Sequence, residues 1–264
     1  MLERVAVDSV VFYRSPLLHA VGVPHAFSTR LGGQSVAPFD SMNLGNPNGC
    51  AIQDDYDNVW ANYRTLQSAC GLGGRFLARV HQVHGAEVVI DQRDQPFNTD
   101  QKADVIVSTD VQKAISVRVA DCVPVLLASR DGCVVAAVHA GWRGTVGGAL
   151  LRAIETMRSL GAKQIVAAVG PAISGEAFEV GDEVVAAFRR ALGADAPVLP
   201  VNENGKHHID IRAALLLQLL QADIPQENID TTDRCTFRDR SEFFSHRRDN
   251  GVTGRMAALI SCLE

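Results

Sequence analysis

Apolar positions fall at helical spacing in one early stretch of the chain. Between residues 54 and 69, Tyr56, Val59, Trp60, Tyr63 and Leu66 recur every three or four positions, which predicts an amphipathic helix. Strands are expected at 87–90 and 103–108. The centre is β-rich, with apolar, β-branched runs at 114–119, 123–129 and 133–139, and Asp131-Gly132 between the last two is a hairpin signal. A helix is expected from about 145 to 160. A strand at 164–169 ends at Gly170-Pro171, amphipathic helices follow at 182–192 and 211–221, and a final strand covers 256–262. Strands and helices interleave and hairpins are present. The expected fold class is therefore α/β (α+β), a mixed β-sheet with flanking helices, in one domain over 1–264. The long turn-rich stretch at 29–49 holds LGGQSVAPFDSMNLGNPNG, and irregular stretches of that length usually serve a site.

The hairpin permits a geometric argument. Residues paired across an antiparallel hairpin have a constant sum of their numbers. A two-residue loop at Asp131-Gly132 gives a sum of 263, so that His139 faces Pro124 and Cys122 is its diagonal neighbour, about 7–8 Å away. A loop at Arg130-Asp131, or a four-residue loop at 129–132, gives 261 and sets Cys122 directly opposite His139, their Cβ atoms about 4.5–5.5 Å apart. Any even loop without a bulge puts both side chains on one face. A thiol and an imidazole so placed fit three readings: coincidence in a sheet, a Cys–His nucleophile pair, or metal ligation with a further ligand. His84, beside Gly85 in RVHQVHGAEVVI, is the candidate third ligand, and His81 competes with it. Two imidazoles and one thiolate suit zinc, and three protein ligands leave the open position of a catalytic site.

His139 also opens HAGWRGTVGG, a glycine-rich turn into the next helix, and Arg143 adds a cationic fork suited to phosphate or carboxylate. Asp121, next to Cys122, either orients a ligand, acts as general base, or caps a turn.

Composition narrows the function classes. The chain has 264 residues, 47% hydrophobic and 21% charged, with a net charge of -5. It shows no Lys/Arg stripe, so nucleic acid is not an expected partner. Arg234, Arg238, Arg240, Arg247 and Arg248 make a local basic cluster, a solvated surface or an anion site. No apolar run approaches the roughly 20 residues of a membrane span, and the N-terminus shows no signal-peptide pattern, so the expected location is the cytoplasm. There the six cysteines are expected as thiols, and their spacing contains no CxxC pair. The oligomeric state is not readable. A multicopper centre needs on the order of ten histidines, mostly in HxH pairs. This chain has eight and no HxH pair.

The segments FSTRLGGQS (27–35), NLG (43–45), QVHGAEVV (82–89), ADCVPVLL (120–127), VHAGWRGTVGG (138–148), VGPAIS (169–174) and FFSHRRDNGVTGR (243–255) run in order along nearly the whole chain. They resemble the YfiH/DUF152 family, also called laccase-domain or multicopper polyphenol oxidase proteins. The resemblance implies the α/β fold shared with cytotoxic necrotizing factor catalytic domains. It implies a zinc-dependent purine nucleoside phosphorylase acting on adenosine, inosine, guanosine and S-methyl-5′-thioadenosine, with adenosine deaminase activity. Nucleoside and phosphate would be its partners, with copper as an alternative metal. Other activities attached to the family are amide hydrolysis that edits the peptidoglycan precursor UDP-MurNAc-L-Ser, and copper-dependent polyphenol oxidation. Carried over by position, the metal ligands are His84, Cys122 and His139, which prefers His84 to His81. Arg30, Asn43, Asp121, Arg143 and Arg247 match positions near the pocket. Cys50 departs from the pattern, standing where family members more often carry Asp.

Overall fold

The computed structural model describes residues 1–47, 49–201 and 205–263. Asn48, in the long loop, lies outside them. In chain order the first elements are β1 (Glu3–Val7), β2 (Val10–Arg14), α1 (Pro16–Val21), β3 (His25–Ser28) and α2 (Tyr56–Ala69). Next come β4 (Phe76–Arg79), β5 (Val88–Asp91), β6 (Val105–Ser108), β7 (Lys113–Val119), β8 (Val123–Ser129) and β9 (Val135–Ala140). They are followed by α3 (Trp142–Val146), α4 (Ala149–Ser159), β10 (Ile165–Val169), β11 (Glu179–Val180), α5 (Asp182–Leu192) and β12 (Val198–Leu199). The last are β13 (His207–Ile209), α6 (Ile211–Gln221), β14 (Ile229–Asp230) and β15 (Met256–Ile260).

Two six-stranded sheets carry the fold, in the orders β1-β2-β3-β15-β7-β4 and β14-β10-β8-β9-β6-β5, and β11-β13-β12 form a small third sheet. Both large sheets are mixed: β4 runs parallel to β7 while β15 is antiparallel to it, and β5 runs parallel to β6 while β8 and β9 are antiparallel. The sheets face each other. Alternate residues of β8 separate the two sides. Leu126 and Ala128 pack with Ile115, Val117 and Ala258 of the first sheet. Val123, Val125 and Leu127 pack with Leu150, Ile154 and Met157 of α4 and Leu215 of α6. The outer face of the first sheet is covered by Val59, Tyr63 and Leu66 of α2. Central strands are thus buried on both faces, which explains their unbroken apolar runs. A single sheet was the expectation; runs apolar on both faces do not reveal that a second sheet, rather than a helix, lies against one of them.

Local chemistry sets the element ends. Asp55 caps α2, its side chain accepting from Asp57 N–H, so the helix begins at Tyr56 rather than residue 54. The helix expected over 145–160 is two: α3 and α4 are separated by Gly147 and Gly148, and Gly148 has φ 78°, in the left-handed region.

The β8–β9 hairpin adopts the register in which Pro124 pairs with His139 and Val123 with Ala140, the first of the two weighed above. Its loop is longer than two residues. Ser129 N–H donates to Val134 O at 2.8 Å, which leaves Arg130 to Cys133 outside the ladder.

Candidate metal centre and cavity

His139 lies near the end of β9. Its sequence neighbours Ala137 and Val135 on the same face pack between the sheets, so its side chain stands at the end of that interlayer. Cys122 precedes β8 by one residue. Asp121 before it has φ 89° and His84 has φ 60°, both non-glycine residues in the left-handed region. Such conformations cost about 1–3 kcal/mol each and persist where surroundings enforce them. At Asp121 the enforcement is explicit. Its carboxylate accepts from Thr236 Oγ1 and from Arg247 N–H, each at 2.7 Å, and its carbonyl accepts from Ile173 N–H at 3.0 Å.

One donor atom from each of His84, Cys122 and His139 lies within 4.8 Å of the other two. Among the described residues this is the one gathering of three or more His, Cys, Asp or Glu ligand atoms. The two imidazoles stand edge to face, ring centres 4.9 Å apart. Gly141 leaves the space for them: a Cβ there would lie 3.1 Å from Cys122 Sγ and 3.1 Å from His84 Cδ2. Two imidazoles and a thiol fit a borderline metal, zinc or copper. His81, exposed and bridged to Lys102, is not part of the gathering.

Asp104, which the sequence reading missed, organises the centre. Its buried carboxylate takes His139 Nδ1 at 2.7 Å. It also accepts from the backbone N–H groups of Val83, His84 and Gly85 at 3.2, 3.0 and 2.6 Å. The Asp104 carbonyl accepts from His139 N–H as well, at 2.8 Å. One residue therefore fixes the ring of one ligand and the backbone of another. With Nδ1 engaged, His139 presents Nε2 to the centre, and a carboxylate behind a metal-binding histidine in this way fixes its ring and tautomer. The visible signal was an acid directly before the apolar run VIVS.

Electrostatics follow from these contacts. Burial disfavours a thiolate at Cys122, but the charge of His139 and hydrogen bonds from His139 and His84 override it and hold the thiol down at about 6. Burial likewise disfavours imidazolium at His139, and the thiolate and Asp104 override it, raising that ring to about 9. Burial opposes the charge of Asp104, and the bonds from His139, Gly85 and Val83 hold its carboxyl below the usual carboxylate range. Cys122 is thus a thiolate at neutral pH, the form that ligates a metal or attacks an electrophile.

The trio opens into a cavity of about 350 Å³, whose wall also includes Asp121, Arg247, Arg118 and Arg255. Phe178, beneath the Arg247 guanidinium at 5.2 Å, supplies an aromatic face. Arg30, Asn43 and Arg143 lie outside the wall. Arg30 is held by Asp40 and stacks on Phe244 at 4.6 Å. Asn43 is buried and accepts from the backbone N–H groups of Arg255 and Gly45, so it shapes the wall from behind. Arg143 is exposed and lies over Trp142 at 4.4 Å. The C-terminal arginines divide: Arg234, Arg238 and Arg240 line a separate surface pocket with Asp239 and Glu242, Arg247 lines the cavity, and Arg248 pairs with Asp249 and the carbonyls of Thr236 and Phe243. No helix of the described residues is long and apolar enough to cross a membrane.

Residues 24–263 match the family model described as multi-copper polyphenol oxidoreductase laccase. A relative from Deinococcus radiodurans named purine nucleoside phosphorylase is 39% identical over 249 residues, 93% of this chain and 92% of that one. The Escherichia coli relative named purine nucleoside phosphorylase YfiH is 38% identical and spans 90% of this chain and 93% of its own. The crystal structure of YlmD from Geobacillus stearothermophilus superposes with a TM-score of 0.84 at 30% identity, over 98% of both chains.

Proposed function

The chain belongs to the YfiH family of laccase-like proteins, and from that membership we propose that it is a zinc-dependent purine nucleoside phosphorylase. One observation carries the reading: His84, Cys122 and His139 converge on the wall of a cavity that also holds Arg118, Arg247 and Arg255, which have no carboxylate partner among the described residues. The substrates are inorganic phosphate and adenosine, inosine, guanosine or S-methyl-5′-thioadenosine. Relatives named purine nucleoside phosphorylase support the substrate class. The thiolate and two imidazoles hold the ion. When bound, zinc supplies a fixed positive charge and Lewis acidity.

In phosphorolysis the bond from ribose C1′ to the purine nitrogen breaks. Its electron pair leaves with the base, and a phosphate oxygen bonds to C1′. Phe178 and Ile173 offer apolar surface to a purine ring. Asp121 keeps both carboxylate oxygens on Thr236 and Arg247, and so fixes the turn that carries Arg247 over Phe178. A pre-placed site of this kind lowers the cost of orienting two substrates. Incubating zinc-loaded protein with inosine and phosphate tests the proposal. Hypoxanthine and ribose 1-phosphate are expected in equal amounts, and their absence overturns it.

A second reading has its own observation. The chain of contacts Asp104–His139–Cys122 has the order of a carboxylate–imidazole–thiol nucleophile relay. On this reading Cys122 Sγ bonds to the amide carbonyl carbon, the C–N bond breaks as His139 gives its proton to the leaving amine, and water then hydrolyses the thioester, as in editing UDP-MurNAc-L-Ser. A chelator separates the two: amide cleavage that survives metal removal favours the free thiolate. Copper-dependent oxidation has the description of the matching family model in its favour, and adenosine deamination rests on the resemblance alone.

A further inference from the structure

The β7–β15 register pairs Arg118 with Ala257. Arg255 stands two residues before Ala257, on the same side of the strand, so the two arginines are diagonal neighbours about 7–8 Å apart at Cα. That side is the outer face of the first sheet, where Ala257 packs with Tyr63 of α2. Both guanidiniums reach the cavity wall around the end of the sheet.

Among the described residues, neither arginine has a carboxylate within 4.0 Å. Arg118 touches only the carbonyl of Val80, at 3.5 Å, and Arg255 those of Thr253 and Gly254, at 3.0 Å each. Among the described residues neither contributes a sealed unbonded nitrogen, and both line the cavity. Both are held from behind. The Gln82 side chain bonds the Arg118 backbone at both N–H and carbonyl, and Asn43 accepts from Arg255 N–H. Gly45 is packed against Arg118, where a Cβ would lie 2.8 Å from Cδ. Burial disfavours the charge on each; Arg79 lowers the Arg118 pKa further, and Arg118 lowers that of Arg255, with Cys122 and Asp121 acting in the opposite direction. Two fixed guanidiniums with no carboxylate in contact are costly to keep charged, Cys122 and Asp121 offset only part of that cost at Arg255, and an anionic ligand relieves the rest.

We propose that Arg118 and Arg255 form the seat of the inorganic phosphate co-substrate, each able to bind a tetrahedral oxyanion through its planar fork. The subsite rests on the phosphorylase reading for the identity of its anion. It shares the cavity with the His84–Cys122–His139 group and does not lie on the glycine-rich turn, where α3 has only 5 residues.

Calorimetric titration of the protein with inorganic phosphate, without nucleoside, reads the subsite independently of turnover. Arg118→Gln and Arg255→Gln are each expected to weaken phosphate binding by about 10- to 100-fold, the loss of one charge-assisted anchor. Arg118→Lys and Arg255→Lys keep the charge, guard against a folding artefact, and are expected to lose less. The exposed Arg152→Gln is the charge control and is expected to bind phosphate as the wild type does. In turnover, the KM for phosphate should rise while the KM for inosine and the metal content stay within about twofold. Phosphate affinity unchanged in folded Gln variants, or no phosphate binding by the wild type, overturns the subsite. Phosphorolysis with an unchanged phosphate KM in those variants refutes the subsite and leaves the phosphorylase reading standing. Phosphate binding lost in the variants, with no phosphorolysis by the wild type, does the reverse.

Discussion

His139 Nδ1 sits 2.7 Å from Asp104 Oδ1, and the same carboxylate gathers the backbone N–H groups on either side of His84. Two ligands that are 55 residues apart in sequence (84 and 139) are thereby set against each other before any ion arrives. The third, Cys122, is set by the Asp121 turn.

Asp104→Asn removes the charge and puts an amide N–H where His139 now donates. Zinc affinity is expected to fall about 10- to 100-fold, as for other lost second-shell carboxylates. Competition against a chromophoric chelator measures it. Unchanged affinity would show that Asp104 only supports the fold.

Between about 6 and 9, the Cys122–His139 pair carries one shared proton. The ligand forms are thiolate and neutral imidazole, so a metal must displace that proton. Affinity should therefore rise about tenfold per pH unit from neutrality to about 9 and then level off. Proton release, read by calorimetry in buffers of different ionisation enthalpy, should be close to one per ion at pH 7.5. No release at that pH would mean that the pair does not share a proton.

Gly141→Ala and Gly148→Ala separate packing at the centre from backbone strain. The Gly141 backbone, at φ -74°, accepts alanine, but the methyl enters the space of Cys122 and His84. Metal affinity should fall with little change in melting temperature. At Gly148 a methyl meets nothing within 4 Å, but φ is 78°. Stability should fall by about 1–2 kcal/mol with metal affinity intact. The same loss in both properties for both variants would refute the distinction.

Much of this was legible in the sequence. The Asp131-Gly132 signal and counting leave two β8–β9 registers open, both of which bring Cys122 near His139 without any reference to a family; the structure has the first, closed by a longer loop than the one counted for it. The helices Asp182–Leu192 and Ile211–Gln221 have the ends that their patterns predict. Asp104, Arg118 and Arg255 were not legible as site residues. Each lies in or beside an apolar strand, and its partners come from distant segments: 83–85 for Asp104, 43–45 for Arg255, Gln82 for Arg118. The doubling of the sheet was hidden for the same kind of reason, since apolar runs do not say what covers each face.

Lys113 is clamped between Asp91 and Asp110, 2.8 Å from each, with the three side chains 10%, 1% and 4% exposed. Lys113→Met leaves two buried carboxylates unpaired and should cost about 3–5 kcal/mol in urea denaturation. The pH dependence has a definite sign. The Asp110 carboxyl is held below its ordinary range against burial, mainly by Lys113, so its contribution is present above that range and is lost as pH falls through the lowered value. Lys113 is raised against burial by the same aspartates, so its contribution persists through neutral pH and is lost as pH rises through the raised value. Wild-type and Met-variant stabilities that differ equally at pH 3 and pH 7 would contradict the clamp.

The most direct test of the account sets the wild type beside Cys122→Ala, both purified with zinc and assayed for bound metal and for ribose 1-phosphate formed from inosine and phosphate. The wild type should hold about one zinc per chain and form ribose 1-phosphate, and the variant should lose both together. Ribose 1-phosphate formed at the wild-type rate by a metal-depleted Cys122→Ala protein would contradict the central claim.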